Sequence, residues 1–389
     1  MRWLLQLVTV TALNLANLRY RIGASLVAVI GFAGVVTVFV GVLSIGRGFS
    51  AALEGSGRDD LAVVLRAGST SEMVSGLSFD TTRIIAEAPG VVRASPELLV
   101  LVDVEKRSTG QPANVPFRGV TAGAFDVRRE VSVIEGRVFE PGVNEVIIGR
   151  RAADEFAGLE LGGVVQSGRV EWRIVGLFEA DGSALESELW ADARVLQDAY
   201  NRGSSYQVVY AQLESAAAFD AFNTAVVEDA RLNVEAKREK DHLAGQSAVM
   251  TTFISVAGTF IAVLMGIGAV FGAVNTMYTA VAARSREIAT LRALGFGRTS
   301  VLVSVLVEGL VLGLTGGLIG GGVAYLAFNG YQASTLNFQS FSQVAFQFAV
   351  TPELLAAGIA GALVMGLVGG ILPGVRAARL PVAKALREL

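Results

Sequence analysis

Residues able to carry covalent chemistry are scarce in this chain. It has one histidine, His242, and no cysteine. A Ser-His-Asp site would have to use His242, and no G-x-S-x-G turn accompanies it. The sequence has no clustered His or Cys ligands for zinc and no G-x-x-x-x-G-K-[ST] phosphate loop. We therefore predict a chain that is not an enzyme, with no catalytic residue, no metal, no bound cofactor and no nucleic-acid partner.

The most unusual polar stretch is SREIATLRALGFG, residues 285–297. It follows residues 243–283, which carry no Lys, Arg, Asp or Glu. On a helical wheel, Ile288, Leu291 and Leu294 cover an arc of about 120°. Such a helix would lie along a membrane interface and present this arc to a cytoplasmic protein. A basic loop without a partner is an equally weighted alternative.

The polar residues of the same stretch qualify that reading. Arg284 and Glu287 intrude on the apolar arc at the end nearest the preceding run, while Arg286 and Arg292 add positive charge. Gly295 is well placed as a left-handed C-terminal cap. The element therefore reads as one short charged helix between two apolar segments.

Those apolar segments have the length of membrane spans. Residues 22–46 form one uncharged run, and 25 residues of helix cover about 37 Å, enough for a hydrocarbon core of about 30 Å. Further runs lie at about 251–283, 301–328 and 354–375. We predict an α-helical membrane protein with four transmembrane helices and a large α+β extracytoplasmic domain inserted between helices 1 and 2.

Charge predicts the orientation of these spans. Residues 47–250 carry 21 Lys and Arg against 31 Asp and Glu, whereas the other 11 basic residues lie in 1–22, 284–298 and 376–389. By the positive-inside rule those three segments are cytoplasmic and the acidic domain is outside. The predicted location is the bacterial inner membrane, with both termini in the cytoplasm.

The predicted division follows from these features. The segments are a cytoplasmic N-terminal segment (1–22), span 1 (23–46), the outer α+β domain with its stalk (47–245), span 2 (251–283), the cytoplasmic helix (284–298), span 3 (299–328), an outer loop (329–353), span 4 (354–375) and a cytoplasmic tail (376–389). The polar stretch 235–246 is predicted either as a helical stalk that continues into span 2 or as an ordinary connector. Alternating apolar residues at 344–350 predict a short strand in the outer loop.

Small residues and one carboxylate mark span 3. Gly309, Gly313 and Gly317 make consecutive small-xxx-small steps, which predict close helix packing. Glu308 would pair with Arg298 or another basic group, or lie at the interface as a solvated carboxylate; a gating role is the alternative. Because ion-coupled transport needs several intramembrane ionisable groups, it is disfavoured.

Several motifs resemble those of the FtsX-like permease family, which includes the macrolide exporter MacB and the LolC/LolE permeases. Arg284 to Gly295 is similar to the family's signature, and Pro373 to Arg387 to its C-terminal end. Glu135-Gly-Arg137, Glu145 to Gly149 and Trp172 to Gly176 resemble a MacB-type extracytoplasmic domain. The resemblance touches nearly the whole chain.

The resemblance implies the permease subunit of an ABC transporter. Residues Arg284, Arg286, Glu287, Ile288, Leu291, Arg292, Leu294 and Gly295 would form its coupling helix to the ATPase. Two ATP-binding subunits, which supply the ATP and Mg²⁺ sites, and a second permease, identical or paralogous, would be its partners, with membrane lipid and a periplasmic adaptor. MacB carries its ATPase in the same chain; here a separate polypeptide is expected.

The function implied is coupling of cytoplasmic ATP hydrolysis to movement outside the membrane. Export, or extraction of a substrate from the outer leaflet or periplasm, is the first hypothesis. The alternative is an FtsX-like signalling subunit that activates an external partner such as a cell-wall hydrolase. A receptor or scaffold without an ATPase is a third reading.

Overall fold

The computed structural model describes residues 22–55, 57–167, 170–337 and 342–382, together with Gln6, Thr9, Thr11 and Ala12. Predictions for most of the segment 1–22, and for the tail residues Lys384 and Arg387, lie outside the described residues. The chain divides into two compact units. The helical unit comprises residues 1–47, 253–331 and 348–389, and the sheet unit comprises residues 48–252 and 332–347.

Four helices in the described residues are long and apolar enough to cross a membrane. They are α1 (Ile22–Glu54), α7 (Glu239–Ala283), α9 (Arg298–Phe328) and α10 (Pro352–Ala378). The short helix α8 (Ser285–Ala293) follows α7 directly. Only 11% of the most apolar window of α7 is buried, so most of its side chains face outward.

Local sequence explains where these helices begin and end. The Thr351 hydroxyl accepts a hydrogen bond from Leu354 N at 3.4 Å, and Pro352 occupies the first turn of α10, where its missing N–H costs nothing. Gly295 ends α8 with a φ of +95°. Its N–H bonds to Arg292 O and the next N–H, from Phe296, bonds to Leu291 O, which is a Schellman motif. The cap predicted at Gly295 is present.

Two glycine faces on α9 set the helix packing. A Cβ at Gly309 or Gly313 would overlap the carbonyl oxygen of Gly366 or Ala362 on α10. On another face of α9, a Cβ at Gly316 or Gly320 would collide with backbone or side-chain atoms of α1. These helices therefore approach more closely than any side chain would allow.

Gly317 completes the first of these faces. A Cβ at this position would lie 3.1 Å from Ala362 Cβ and 3.2 Å from Ile359 Cα, both on α10. Gly309, Gly313 and Gly317, the predicted packing residues, therefore all lie against α10. The sequence pattern does not distinguish these three glycines from Gly316 and Gly320, which face α1.

The sheet unit contains a sheet of ten strands in the described residues, with the order β10-β1-β9-β2-β3-β8-β5-β7-β4 and β6 paired to β7. The strands are β1 (Leu61–Arg66), β2 (Val91–Glu105), β3 (Pro112–Val120), β4 (Ser132–Gly136), β5 (Glu145–Gly149), β6 (Val164–Ser167), β7 (Val170–Glu179), β8 (Leu189–Asp192), β9 (Val208–Leu213) and β10 (Val234–Arg238). The helices are α2 (Phe79–Ala86), α3 (Ala124–Val127), α4 (Arg150–Glu155), α5 (Ala193–Ala199) and α6 (Phe219–Val227). Pairing is antiparallel except between β3 and β8 and between β5 and β7.

Apolar side chains from both faces of this sheet form its core. Phe117 and Trp172 make an edge-to-face contact with centroids 4.9 Å apart in the largest cluster. A second cluster packs Phe222 of α6 against β1 and β9. This observed mixture of strands and helices is the α+β content predicted for the segment.

The polar stretch 235–246 divides between two elements. Residues up to Arg238 belong to β10, and α7 starts at Glu239 and continues for 45 residues to Ala283. The helical-stalk prediction therefore holds from Glu239 onward and is wrong for 235–238. Those residues pair with β1 as an edge strand of the sheet.

The loop between α9 and α10 forms a hairpin of β11 (Gln332–Asn337) and β12 (Ser342–Gln347). The strand predicted at 344–350 is therefore present, but it ends at Gln347. The hairpin packs inside the sheet unit: Lys106 Nζ donates to Ser334 Oγ at 2.9 Å and to Gln343 Oε1 at 3.1 Å. Phe346 meets Phe49 edge to face at 5.6 Å.

Candidate functional site

The junction of α7, α8 and α9 holds a buried ion pair. Arg284, the residue between α7 and α8, donates from Nη2 to Glu308 Oε2 at 2.7 Å. The two side chains are only 8% and 6% exposed. Arg284 also donates from Nε to Ala280 O at 3.4 Å, which holds the guanidinium against the last turn of α7. The structure thus gives Glu308 a basic partner, Arg284, in line with the prediction of Arg298 or another basic group.

Apolar packing holds α8 in the same place. Ile288 is buried with Met277 and Val281 of α7 and Val305 of α9. Ala289 is fully buried as well. At the far end of α8, Arg292 donates from Nη1 to Leu380 O at 2.6 Å. Both ends of this short helix are therefore fixed to the helical unit.

The predicted apolar arc of α8 is divided by this packing. Ile288 points into the helical unit, Leu291 is half-buried, and Leu294 is 72% exposed. The arc is therefore not one docking face, because its first residue is used internally. The outward surface of α8 consists of Arg286, Glu287, Thr290, Ala293, Leu294 and the following Gly295.

A second concentration of charge lies in the core of the sheet unit, and the sequence reasoning missed it. Arg118 on β3 donates to Glu188 from Nε and Nη2, at 2.7 Å each. Its Nη1 donates to Glu72 at 2.7 Å and to Glu97 at 3.1 Å. All four side chains are less than 10% exposed. One guanidinium thus joins three segments that lie far apart in the sequence.

Arg128 extends this network. Its Nη1 lies 3.0 Å from each carboxylate oxygen of Glu97, and its guanidinium lies over the Tyr210 ring at 4.0 Å. The Tyr210 hydroxyl donates to Glu72 at 2.7 Å. Arg128 Nε has no hydrogen-bond partner among the described residues. The network therefore retains one unused buried donor.

The pKa values in the network follow from burial and from the arginines. Burial raises the pKa of the Glu72 carboxyl, but the Arg118 charge and the hydrogen bond from Tyr210 reverse this and lower the pKa to about 2. Burial raises the pKa of Glu97 despite Arg128 and Arg118. Glu72 is therefore ionised at neutral pH, and Glu97 holds its proton more tightly than a free side chain does.

A cavity of about 70 Å³ lies beside this network in the sheet unit. Its polar lining includes Glu72, Arg118, Arg128, Glu188, Tyr210, Glu239, Gln246, Asn337 and Ser342. Residues from the first turns of α7 and from the loop between α9 and α10 therefore both line this cavity. Among the described residues, no group of three or more His, Asp or Glu side chains has the arrangement needed to hold a metal ion.

Two family descriptions match this chain. "FtsX-like permease C-terminal" matches residues 259–382, and "MacB-like periplasmic core domain" matches residues 25–229, which is more than half of the sequence. The chain belongs to the FtsX-like permease family and carries a MacB-like periplasmic core domain. This is a family of ABC transporter permeases, as the motifs at 284–295 and 135–176 predicted.

Solved structures match less than half of this permease, at low identity. The extracellular domain of the noncanonic ABC-type transporter YknZ from Gram-positive bacteria is 17% identical, with a TM-score of 0.37, and covers 46% of this chain and 99% of its own. The periplasmic region of MacB from Actinobacillus actinomycetemcomitans is 12% identical, with a TM-score of 0.37, and covers 47% of this chain and 90% of its own. No curated protein sequence matches the chain.

The permease's two charged sites fall in different matched regions. The Arg284–Glu308 pair lies within the FtsX-like match, and the Arg118 network lies within the MacB-like match. The start of α7, with Glu239 and His242, lies between the two matches. The only sequence signal for this network is a pair of charges, Glu97 and Arg118, inside apolar strands, and this signal does not say which charges meet.

Proposed function

We propose that this permease is the membrane subunit of an ABC transporter whose ATPase is a separate polypeptide, and that the ATPase acts on α8. The observation that carries the proposal is that both ends of α8 are held by side-chain contacts. This short helix is tied to α9 by the buried Arg284–Glu308 ion pair at one end, and to Leu380, just after α10, by Arg292 at the other. Such a helix transmits a push to the spans that it joins.

The proposed contact with the ATPase is the outward surface of α8. It presents the charged Arg286 and Glu287 in its first turn and the apolar Leu294, which is 72% exposed, at its end. An exposed leucine with a polar rim is typical of the small apolar anchor of a protein–protein interface. Two ATPase subunits, each with its own ATP and Mg²⁺, would engage two permease copies in this way.

The proposed path of coupling runs through α7. This helix belongs to the sheet unit at Glu239 and ends beside α8 at Ala283. With a rise of about 1.5 Å per residue, 45 residues extend about 67 Å without a break. A continuous helix can carry a displacement along its own length. We propose export, or extraction of a substrate from the outer leaflet or periplasm, as the result.

The membrane arrangement is part of this proposal. The four apolar helices cross the inner membrane with α8 and both termini in the cytoplasm and the sheet unit outside. The exposed side of α7, with Phe253, Phe260 and Phe271 among its residues, would face lipid or a second permease copy. A periplasmic adaptor is a further partner for the sheet unit.

The test uses the complex of permease and ATPase reconstituted in nanodiscs. Leu294→Asp removes the exposed apolar anchor and is expected to lower ATPase co-purification and permease-dependent ATP hydrolysis at least tenfold, with normal membrane insertion. Val164→Asp, at an exposed valine of the sheet unit, is the matched control and should change neither. Normal assembly and hydrolysis in the Leu294 variant would refute the assignment of α8.

Export and signalling are separated by a second measurement. In the signalling alternative, ATP hydrolysis moves the sheet unit and activates an external partner such as a cell-wall hydrolase, but nothing leaves the membrane. Quantitative lipid and metabolite analysis of proteoliposomes before and after ATP addition distinguishes the two. Loss of a compound from the vesicle membrane or lumen supports export, and none supports signalling.

A further inference from the structure

The start of α7 places two titratable side chains, Glu239 and His242, on one face of its first turn. They are three residues apart, about one helical turn, and their exposed fractions are only 4% and 7%. Both belong to the sheet unit, before the apolar part of α7 begins near residue 251. Glu239 also lines the cavity beside the Arg118 network. A buried acid and a buried base therefore lie together where the first turn of α7 packs inside the sheet unit.

The buried carboxylates around this cavity outnumber the guanidiniums. Four glutamates, Glu72, Glu97, Glu188 and Glu239, are less than 10% exposed, against two buried arginines, Arg118 and Arg128. The arginines make their hydrogen bonds to the first three of these carboxylates. An unpaired buried charge is costly, so the cluster favours a bound proton.

Glu239 is the carboxylate with the weakest neutralisation. The contact described for its side chain is the backbone N–H of Arg58, which donates to Oε2 at 3.1 Å. Burial raises the pKa of Glu239 to about 7, against the attraction of Arg128 and the backbone hydrogen bond. Near neutral pH the Glu239 carboxyl therefore exchanges a proton.

The pKa of His242 is shifted in the opposite direction to that of Glu239. The Gln246 amide lies 2.8 Å from Nε2 of His242, and Asn337 Nδ2 donates to the other end of the same amide at 3.5 Å. With the Gln246 amide nitrogen facing the ring, a neutral imidazole accepts this hydrogen bond at Nε2. Burial lowers the pKa of His242 despite Glu72, whose carboxylate lies 4.0 Å away.

We propose that the first turn of α7 is a proton-controlled latch between the stalk and the sheet unit, closed when Glu239 is protonated and His242 is neutral. The latch goes beyond the proposed transport function and is independent of any ATPase. The charged and titratable groups that face it are Arg58, Asp59, Glu72, Glu97, Arg118, Arg128, Glu130, Glu188, Tyr210, Glu235, Lys237, Lys240 and Asp241.

The direction of each pKa shift decides whether docking weakens as the pH rises or as it falls. The pKa of Glu239 is higher when docked than the ordinary value of 4.5, so docking weakens as pH rises from 4.5 through about 7. The pKa of His242 is lower when docked than 6.5, so docking also weakens as falling pH forces a proton onto the ring. Below pH 6.5 these two effects oppose each other, so docking weakens most clearly as the pH rises from 6.5 through about 7.

The test uses the full-length permease in nanodiscs, without ATPase. Because the chain has no cysteine, two introduced cysteines, replacing the exposed Ala248 of α7 and the exposed Glu214 of the sheet, can carry spin labels. Pulsed electron spin resonance then gives the distance distribution between the labels from pH 4 to 9. Infrared absorption of the protonated carboxyl group follows Glu239 directly.

Each variant should remove one of the two effects. Glu239→Gln is expected to abolish the weakening of docking at alkaline pH and the carboxyl signal that titrates near pH 7. His242→Gln should remove the opposing effect, so that docking strengthens further as the pH falls from 6.5 toward 4.5. Glu228→Gln, at an exposed carboxylate of the same unit, is the matched control and should keep both effects. A pH-independent distance distribution in the unsubstituted protein would overturn the latch, as would an alkaline weakening that survives Glu239→Gln.

Discussion

Arg284 and Glu308 are 24 residues apart in the chain, and their side chains meet at 2.7 Å in a buried ion pair. The pair joins the end of α7, the start of α8 and the first half of α9. Its position therefore connects three helices at the α8 end of the helical unit. It is also the most direct place to test how α8 is held.

Removing one partner of this pair should lower the free energy of unfolding. Exchanging the two charged residues should restore part of it. Glu308→Gln leaves a buried guanidinium without its counter-charge, and we expect a loss of about 3 kcal/mol of unfolding free energy. The swapped variant Arg284→Glu with Glu308→Arg should recover part of that loss, because the charges again match. Chemical denaturation in detergent micelles measures both. Equal stability of the single and swapped variants would contradict the pairing.

Close packing of α9 on α10 predicts a sharp difference between two glycines of α9. Gly313→Ala puts a Cβ onto the carbonyl oxygen of Ala362, so the helices must separate, at a cost of about 1–3 kcal/mol. Gly322→Ala on the same helix meets nothing within 4 Å and should be neutral or slightly stabilising. Thermal unfolding of the two purified variants gives the comparison. A similar melting temperature for both would argue against the close approach.

The lowered pKa of Glu72 predicts an acid-dependent contribution to the stability of the sheet unit. A carboxyl whose pKa falls from 4.5 to about 2 on folding stabilises the fold above pH 4.5 and loses this contribution as the pH falls toward 2. The stability difference between the unsubstituted protein and Glu72→Gln should therefore shrink across that window. Glu87→Gln, at a carboxylate exposed on the surface, serves as the control. Circular dichroism melts from pH 2 to 7 follow the difference, and a constant gap would disprove the linkage.

Docking of the hairpin depends on polar contacts with the sheet unit. Lys106→Met removes the hydrogen bonds to Ser334 and Gln343, and we expect amide exchange in the hairpin 332–347 to speed up several-fold. Lys237→Met removes an exposed lysine that pairs with Glu235 and should leave the hairpin unchanged. Hydrogen exchange with mass spectrometry resolves this segment. Unaltered protection in the Lys106 variant would mean that apolar contacts such as Phe346 on Phe49 hold the hairpin alone.

The sequence by itself determined the features that depend on local order. Uninterrupted apolar runs predict span-length helices because each run must bury its backbone polar groups in its own hydrogen bonds. Gly295 predicts the end of α8 because a left-handed residue costs glycine little. The signature at 284–295 and the MacB-type motifs were enough to indicate the family.

The tertiary structure alone decided which of these residues meet. Periodicity placed Ile288 and Leu294 on one arc, but packing against α7 and α9 turned Ile288 inward and left Leu294 exposed. The partner of Glu308, and the meeting of Glu72, Glu97 and Glu188 at Arg118, depend on contacts between distant segments. A local pattern fixes where a side chain points on its own helix or strand. Which charge it meets is set by chain topology, which no local spacing encodes.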